Sequence, residues 1–299
     1  HFKTRMTELL FSCGRVVGVV ASGAEYHGPV ILATGHSSRD VYRYLSTSVV
    51  RLEPKSIAVG VRLEHPSALI DQIQYHSRDG RGKYLPAAEY SFVNQVDGRG
   101  VYSFCMCPGG SIVPTATEYG ALSVNGMSSS SRSGSKANSA MVVQIRKEDV
   151  PGKGVFSVLE WVENIERNSF RDKFKAPSQR MADFVDYKFS STLPKSTYAP
   201  GLVSSDLHDV LPPIVSSSLK DGFINFGRMT RGKFLTNEAV MIASETRTSS
   251  PVRIIRDEAY KSIPGLYPAG EGAGYAGGIV SAAIDGTEVA KALAKCLIC

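Results

Sequence analysis

The run GLYPAGEGAGYAGGIVSAAIDG, residues 265–286, decides how the fold of this 299-residue chain is interpreted. Its seven glycines and the carboxylate of Glu271 lie between a short predicted strand at 265–269 and a helix predicted over 279–293. Glycines let a backbone approach a bulky ligand, and a helix that starts near Gly277 and Gly278 directs free N–H groups outward. The run predicts a site for a phosphate or a ring carbonyl, but a purely structural turn explains it equally well.

The N-terminal end of the chain is also of the βα type. Short segments at 2–11, 15–20 and 25–33 predict a three-stranded meander that leads into the apolar strand VILATG, residues 30–35. A helix follows, with Ser37 or Ser38 as its first cap. Between the two ends, 90–126 predicts antiparallel strands, 66–75 and 155–170 predict helices, and the proline-rich stretch 193–215 predicts a connector or lid. These patterns indicate an α/β chain with a β-rich middle.

Composition excludes several classes of protein. The chain is 42% hydrophobic and 21% charged, and it has no apolar stretch of the roughly 18–20 residues that cross a bilayer. Its net charge of +6 is spread along the sequence without a nucleic-acid motif. The five scattered cysteines favour a reducing compartment. No zinc-binding spacing, nucleophile elbow or Walker loop is present, so we expect no metal, no nucleic-acid partner and no membrane span.

Three smaller features leave alternatives open. Cys105 and Cys107 are either a redox or metal-binding pair or simply buried residues; their one-residue spacing favours burial. His36, next to Gly35, is the histidine most worth testing. A cluster of basic residues forms either an anion-binding face or a solvated turn, and the two are equally supported: Arg247, Arg253 and Arg256.

Several runs resemble known flavoproteins. Gly270 and Glu271, followed by the glycine pair and Ile279, resemble the C-terminal flavin motif of proteins with two dinucleotide-binding domains. Thr34 and Gly35 match the "ATG" strand of the same families. A narrower group, the uncharacterised FAD-dependent dehydrogenases of bacteria and plastids, is similar in four more runs: GVRLEHP (60–66), CMCPGG (105–110), NGMS (125–128) and RTSSPVRI (247–254).

The resemblance implies a flavoenzyme. FAD would be held in part by Thr34, Gly35, Gly270, Glu271, Gly277, Gly278 and Ile279, and would transfer a hydride or electrons through its isoalloxazine ring to an unknown substrate or electron partner. It also implies a Rossmann-like FAD-binding domain, incomplete at its N-terminus, formed by 1–57 and 240–299, with 58–239 inserted as a β-rich α+β substrate or interface domain. No catalytic residue is assigned.

One element of these families has no counterpart in the chain. Family members carry an early strand–GxGxxG–helix unit that binds the ADP pyrophosphate, and no part of this sequence matches that unit. The alternative to an oxidoreductase is therefore a non-catalytic fragment that serves as a binding or assembly module. The family's distribution gives the plastid stroma as the expected location, with the cytoplasm as the alternative.

Overall fold

A computed structural model describes residues 1–298. Its strands, in chain order, are β1 (Met6–Ser12), β2 (Arg15–Ala21), β3 (Ala24–His27), β4 (Val30–Leu32), β5 (Leu52–Pro54), β6 (Ile57–Pro66), β7 (Val93–Val96), β8 (Arg99–Cys107), β9 (Ser111–Pro114), β10 (Val124–Met127), β11 (Lys136–Ile145), β12 (Ala176–Arg180), β13 (Leu202–Ser204), β14 (Val240–Glu245), β15 (Val252–Ile254) and β16 (Leu266–Pro268). Its α-helices are α1 (Arg39–Ser46), α2 (Ser67–Gln74), α3 (Ser157–Ser169), α4 (Met181–Val185), α5 (Leu207–Val210), α6 (Pro213–Met229) and α7 (Ile279–Ile298).

The chain divides into two compact units. Unit 1 comprises His1–Ile57, Arg146–Leu159 and the segment that begins at Arg247, and unit 2 comprises Ala58–Ile145 and Glu160–Thr246. This division differs from the sequence-based domains at 146–159 and 240–246, and the assignment of separate cofactor and substrate domains stays a prediction.

Unit 1 combines three small sheets. Strands β1, β2 and β3 form the predicted antiparallel meander, because short β-rich segments are separated by tight turns. Strands β4 and β16 pair in parallel, and β5 pairs with β15 in antiparallel fashion. Apolar residues from the meander and α1 meet in one core, which includes Leu9, Val16, Tyr42, Leu45 and Leu266.

Unit 2 is built on a seven-stranded mixed sheet with the order β13-β12-β14-β6-β11-β8-β7. Strand β6 is buried along nearly its whole length, as is typical of a strand covered on both faces. Gly60 is required there, because a Cβ at this position would lie 1.9 Å from the carbonyl oxygen of Met141 on β11. At this level the fold is the mixed α/β type expected from the sequence.

Two local predictions are corrected. The antiparallel strands predicted over 90–126 do not form one sheet, because β10 (Val124–Met127) pairs with β9 outside the large sheet that contains β7 and β8. The proline-rich stretch 193–215 predicted a connector or lid, but Pro213 occupies the first turn of the 17-residue helix α6, where a missing N–H costs nothing. Val215, Leu219 and Phe223 are fully buried on that helix, and their four-residue spacing was the overlooked signal.

Ser38 has the predicted cap position of α1 but not the predicted cap bond. Its hydroxyl donates to the carbonyl oxygen of Thr34 at 2.8 Å, so it ties the helix start back to the preceding loop. Among residues 1–298, no helix is long and apolar enough to cross a membrane.

Candidate functional site

Two loops of unit 1 meet at the carboxyl ends of β4 and β16. The strands are parallel neighbours, so the loops that follow them leave from the same edge. Gly272 contacts Gly35 so closely that a Cβ on Gly272 would lie 2.6 Å from the carbonyl carbon and oxygen of Gly35. The contact borders a cavity of about 260 Å³, which is lined by Ala33, Gly35, Ala269, Gly270, Glu271, Gly272, Ala282 and Gly286. We call this region the glycine-loop site.

Glu271 borders the cavity beside a histidine. Its Oε1 lies 3.3 Å from Nδ1 of His36, and both side chains are partly exposed, at 27% and 17%. The structure therefore brings the histidine singled out in the sequence to the carboxylate of the glycine-rich run. The charge of Glu271 also reaches Lys55: burial and Arg253 lower the pKa of Lys55, while Glu271 opposes that shift.

The glycine pair before α7 is not explained by packing. A Cβ at Gly277 or Gly278 would meet no atom within 4 Å, and neither residue has the left-handed φ that favours glycine. Ile279, the first residue of α7, is 91% exposed. These three residues and Thr34 do not line the cavity, whereas the other predicted residues, Gly35, Gly270 and Glu271, do.

Asp285 fixes the loop after β16, and sequence reasoning missed it. Its Oδ2 accepts the N–H of Gly270 at 2.6 Å, and both of its carboxylate oxygens accept hydrogen bonds from Arg256. Burial raises the pKa of Asp285, but the bonds from Arg256 and Gly270 outweigh it and lower the pKa overall. The sequence contained one signal for this role. Asp285 follows Ala282 by three residues and precedes Gly286 by one, so it is an acidic residue on the same face of α7 as these two small residues.

Tyr42 fixes the same loop from α1. Its hydroxyl donates to the carbonyl oxygen of Gly272 at 2.7 Å and lies 2.9 Å from Oγ of Ser250. Burial raises the pKa of Tyr42 to about 12, so the hydroxyl stays protonated and remains a donor. The first half of the loop is thus held at two positions, by Asp285 at Gly270 and by Tyr42 at Gly272.

The spacing G-x-G-x-x-G occurs once between β16 and α7, at Gly272, Gly274 and Gly277. It is not the early unit of the flavoprotein families, and its glycines have different roles. Gly274 has a φ of +86°, and a Cβ there would lie 3.0 Å from Cα of Arg253, so this glycine serves chain packing.

The basic residues near position 250 already have partners. Arg247 donates to Oγ of Ser37 at 3.1 Å, and Arg253 lies 3.0 Å from Oε1 of Glu53. Arg256 is paired with Asp285, and its guanidinium carbon lies 3.8 Å from the ring centroid of Tyr275. Each guanidinium therefore has at least one partner, while Nε of Arg253 is buried without a hydrogen-bond partner, so both alternatives for these residues stay open.

A second polar region lies inside unit 2. Three sequence runs with a family resemblance meet at the guanidinium of Arg62, which is fully buried. It contacts Asn125, Asn138, Glu245 and the segment that holds Cys105 and Cys107. We call this set the Arg62 cluster. Sequence reasoning missed Arg62, Asn138 and Glu245, because only the sheet brings them together. Within residues 1–298, no group of three or more His, Cys, Asp or Glu side chains is placed to hold a metal ion.

Comparison with known proteins adds family information. The family model described as "FAD-dependent protein, C-terminal domain-like" matches residues 56–248. The chain is 40% identical, over 301 aligned positions and 97% of its length, to an uncharacterized protein of Clostridium beijerinckii. The match covers 56% of that relative, so the chain spans about half the length of the curated protein it matches.

Proposed function

Because the chain belongs to the family of FAD-dependent proteins with this C-terminal domain, we propose that it is part of an FAD-dependent oxidoreductase of the dehydrogenase type, and that the glycine-loop site holds part of the flavin cofactor. Bound FAD would supply hydride or electron transfer to a substrate that remains to be identified. The observation that carries the proposal is the close contact of Gly35 and Gly272 beside the carboxylate of Glu271.

The residues of the site fit such a cofactor. Gly35, Gly270 and Gly272 give a backbone surface without side chains, which allows close approach of a planar or phosphorylated group. Gly277 and Gly278 leave open space that internal packing does not need. A cavity of about 260 Å³ is slightly smaller than the roughly 300–1,000 Å³ of complete ligand pockets, so it accommodates part of the cofactor.

We assign separate roles to the chain's own residues. Glu271 accepts hydrogen bonds from ligand hydroxyls, and His36 orients its carboxylate. The N–H groups at the start of α7 face partial negative charge on the ligand, which the helix dipole favours. Tyr42 and Asp285 keep the loop in place and do not themselves contact the ligand.

We further propose that unit 1 is one part of a Rossmann-like domain. Three residues in the first two turns of α7 are apolar and strongly exposed, namely Ile279 (91%), Val280 (73%) and Ile284 (61%). Strands β4 and β16 are a parallel pair, and parallel sheets are normally covered on both faces. We propose that a strand–helix unit, equivalent to a segment in the part of the Clostridium relative that this chain does not match, covers them and binds the adenine nucleotide.

Titration of FAD with the 299-residue chain, followed by flavin fluorescence, tests the cofactor assignment. We expect saturable binding, and a Kd for Glu271→Ala that is raised roughly tenfold or more, because a hydrogen bond to a charged group contributes about 1.5–3 kcal/mol. Glu258→Ala is the matched control, since Glu258 is an exposed carboxylate of the same unit. Equal Kd values for wild type and Glu271→Ala would remove the proposed role of Glu271.

The same titration separates the two functional hypotheses. If the full-length Clostridium relative retains FAD and this chain shows no binding at any concentration, the chain is a binding or assembly module and the cofactor proposal is wrong for it. The plastid location remains a prediction, which imaging of a fluorescent fusion of the whole gene product tests.

A further inference from the structure

The Arg62 cluster places one buried cation against two cysteines of a single strand. Arg62 donates from Nη2 to the carbonyl oxygen of Cys105 at 2.6 Å and to Sγ of Cys107 at 3.1 Å. Its Nε donates to Oδ1 of Asn138 at 2.7 Å, and its Nη1 lies 3.5 Å from Oε2 of Glu245. A buried charge is costly unless it is paired, so this guanidinium favours an anion among its neighbours.

A β-bulge separates the two cysteines in exposure. Cys107 is opposite Asn138 and Phe104 is opposite Ala140, so two residues of β8, Cys105 and Met106, face a single position of β11. Cys105 has a φ of +48°, a conformation that is unfavourable for a residue with a Cβ. In a regular strand, residues two apart share a face; here Cys105 is exposed and Cys107 is buried.

Glycines keep space for this arrangement. A Cβ at Gly126 would lie 2.1 Å from Nη2 of Arg62, and a Cβ at Gly110 would lie 2.9 Å from Cβ of Cys107. The nearest atom to a Cβ at Gly110 is the carbonyl oxygen of Met127, at 2.5 Å, so this glycine also allows the close approach of β10. Gly126 leaves room for the guanidinium that contacts Sγ of Cys107.

Electrostatics divides the two sulfurs into different states. The hydrogen bond from the Cys107 thiol lowers the pKa of Cys105 to about 5, and the charge of Arg62 contributes to that shift. The same bond and burial raise the pKa of Cys107. Glu245 competes for the guanidinium, and its burial raises the pKa of its carboxyl group to about 7. The two pKa shifts have opposite directions, which favours the thiolate form at the exposed Cys105 and the thiol form at the buried Cys107.

We propose that Cys105 and Cys107 form a dithiol site that reduces low-molecular-weight disulfides, with Cys105 as the attacking thiolate, Cys107 as the resolving thiol and Arg62 as the positioning residue. Cys105 is the exposed sulfur of the pair, so a substrate needs only one accessible sulfur atom and no large docking surface.

The reaction is balanced in two steps. First, Cys105 sulfur forms a bond to one sulfur of the disulfide RSSR, the S–S bond breaks, and the other half leaves as the thiolate RS⁻. Then the Cys107 thiol gives its proton to the released RS⁻, and its sulfur attacks Cys105 sulfur in the mixed disulfide, which releases the second half as RS⁻. The dithiol is oxidised by two electrons to the Cys105–Cys107 disulfide, and RSSR is reduced to one thiol, RSH, and one thiolate, RS⁻.

Glutathione disulfide is the probe for the experiment. The full chain carries Cys13→Ser, Cys296→Ser and Cys299→Ser, so that only the pair remains. We expect a transient glutathione adduct on Cys105, followed by an intramolecular disulfide that intact mass detects as the loss of two hydrogen atoms. Cys107→Ser should stop at a stable adduct on Cys105, and Cys105→Ser should give no adduct, because Cys107 is buried.

A chain that keeps only Cys13, which is also exposed, is the matched control. At pH 6 we expect adduct formation on Cys105 to be roughly tenfold faster than on Cys13, because a pKa of about 5 favours the thiolate form of Cys105 at this pH, which outweighs the lower nucleophilicity of an acidic thiol. Equal rates on Cys105 and Cys13 would overturn the proposal. It would also be overturned if the pair formed no disulfide and the Cys107→Ser variant formed no adduct; the cysteines would then be packing residues.

A pH–rate profile of Cys105 alkylation tests the positioning role of Arg62. The ionisable side chains around the two cysteines are those of Arg62 on β6, Glu245 on β14 and Tyr90. Burial raises the pKa of Tyr90 to about 12. Arg62→Gln should move the midpoint to higher pH by about one unit or more. Should that variant fail to fold, Glu245→Gln should move the midpoint to lower pH. A profile that both substitutions leave unchanged contradicts the role of Arg62.

Discussion

The glycine-loop site of unit 1 and the Arg62 cluster of unit 2 are built in opposite ways. The first is formed by backbone: Gly35 and Gly272 are in contact, and the carboxylate of Glu271 is partly exposed. The second is formed by side chains, with the charges of Arg62 and Glu245 buried inside a sheet. The glycine-loop site requires residues without side chains, and the Arg62 cluster requires oppositely charged side chains next to each other.

This difference determines what each region tolerates. A loop formed by close backbone contact is destabilised by added atoms, because there is no space for a side chain at Gly272. A buried charge cluster is destabilised by removal of one partner, since the remaining charge is then buried without an opposite charge beside it. The following predictions use substitutions of both kinds, and are ordered by the expected change in the free energy of unfolding.

Arg62→Met should have the largest effect. Removal of the guanidinium leaves Asn138 and Glu245 buried without their partner, which typically costs about 3–5 kcal/mol. Urea denaturation followed by circular dichroism measures the loss. Arg78→Met, at an exposed arginine of the same unit, should change stability by no more than about 0.5 kcal/mol. Similar values for the two variants would contradict a charge-dependent cluster.

Glu245→Gln should give an effect that depends on pH. Burial raises the pKa of Glu245 from 4.5 to about 7 in the native state, so the native chain binds its proton more tightly than the unfolded chain does. As the pH rises from about 4.5 to about 7, the wild type should lose on the order of 3 kcal/mol relative to the glutamine variant. Urea midpoints of both proteins at pH 5 and pH 8 test this. A difference that does not change with pH would count against a raised pKa.

Gly272→Ala should destabilise unit 1 by about 1–3 kcal/mol, because the new methyl group would overlap the backbone of Gly35. Loss of the loop contact should also weaken FAD binding. Thermal unfolding and the FAD titration measure the two effects. Unchanged stability would mean that the two loops are not in contact in solution.

Gly277→Ala should have the smallest effect on stability, within about 0.5 kcal/mol, because a Cβ there meets no atom of the chain. If a ligand lies against this backbone, the same substitution should still raise the Kd for FAD. This variant and Gly272→Ala thus separate packing from binding. A Gly277→Ala chain that binds FAD as the wild type does would remove the glycine pair from the proposed site.

Much of the local structure could be predicted from sequence. The meander, the strand before Thr34 and the helix after Gly278 follow from short-range patterns of apolar residues and glycines. Helix α6 was missed because its prolines were interpreted as breaks, although a proline fits a first helical turn. The contact between His36 and Glu271 could only be suspected, since the two residues are 235 positions apart and their loops meet only because β4 pairs with β16.

The sequence by itself determined the α/β character, the family and the glycine-rich loop, because these depend on patterns within short stretches of chain. Only the tertiary structure decided that Tyr42 and Asp285 hold that loop, and that Arg62, Cys107 and Glu245 share one buried position. The physical reason is that the burial and pairing of charges depend on neighbours from strands distant in sequence. The order of those strands in the sheet cannot be derived from any single segment of the chain.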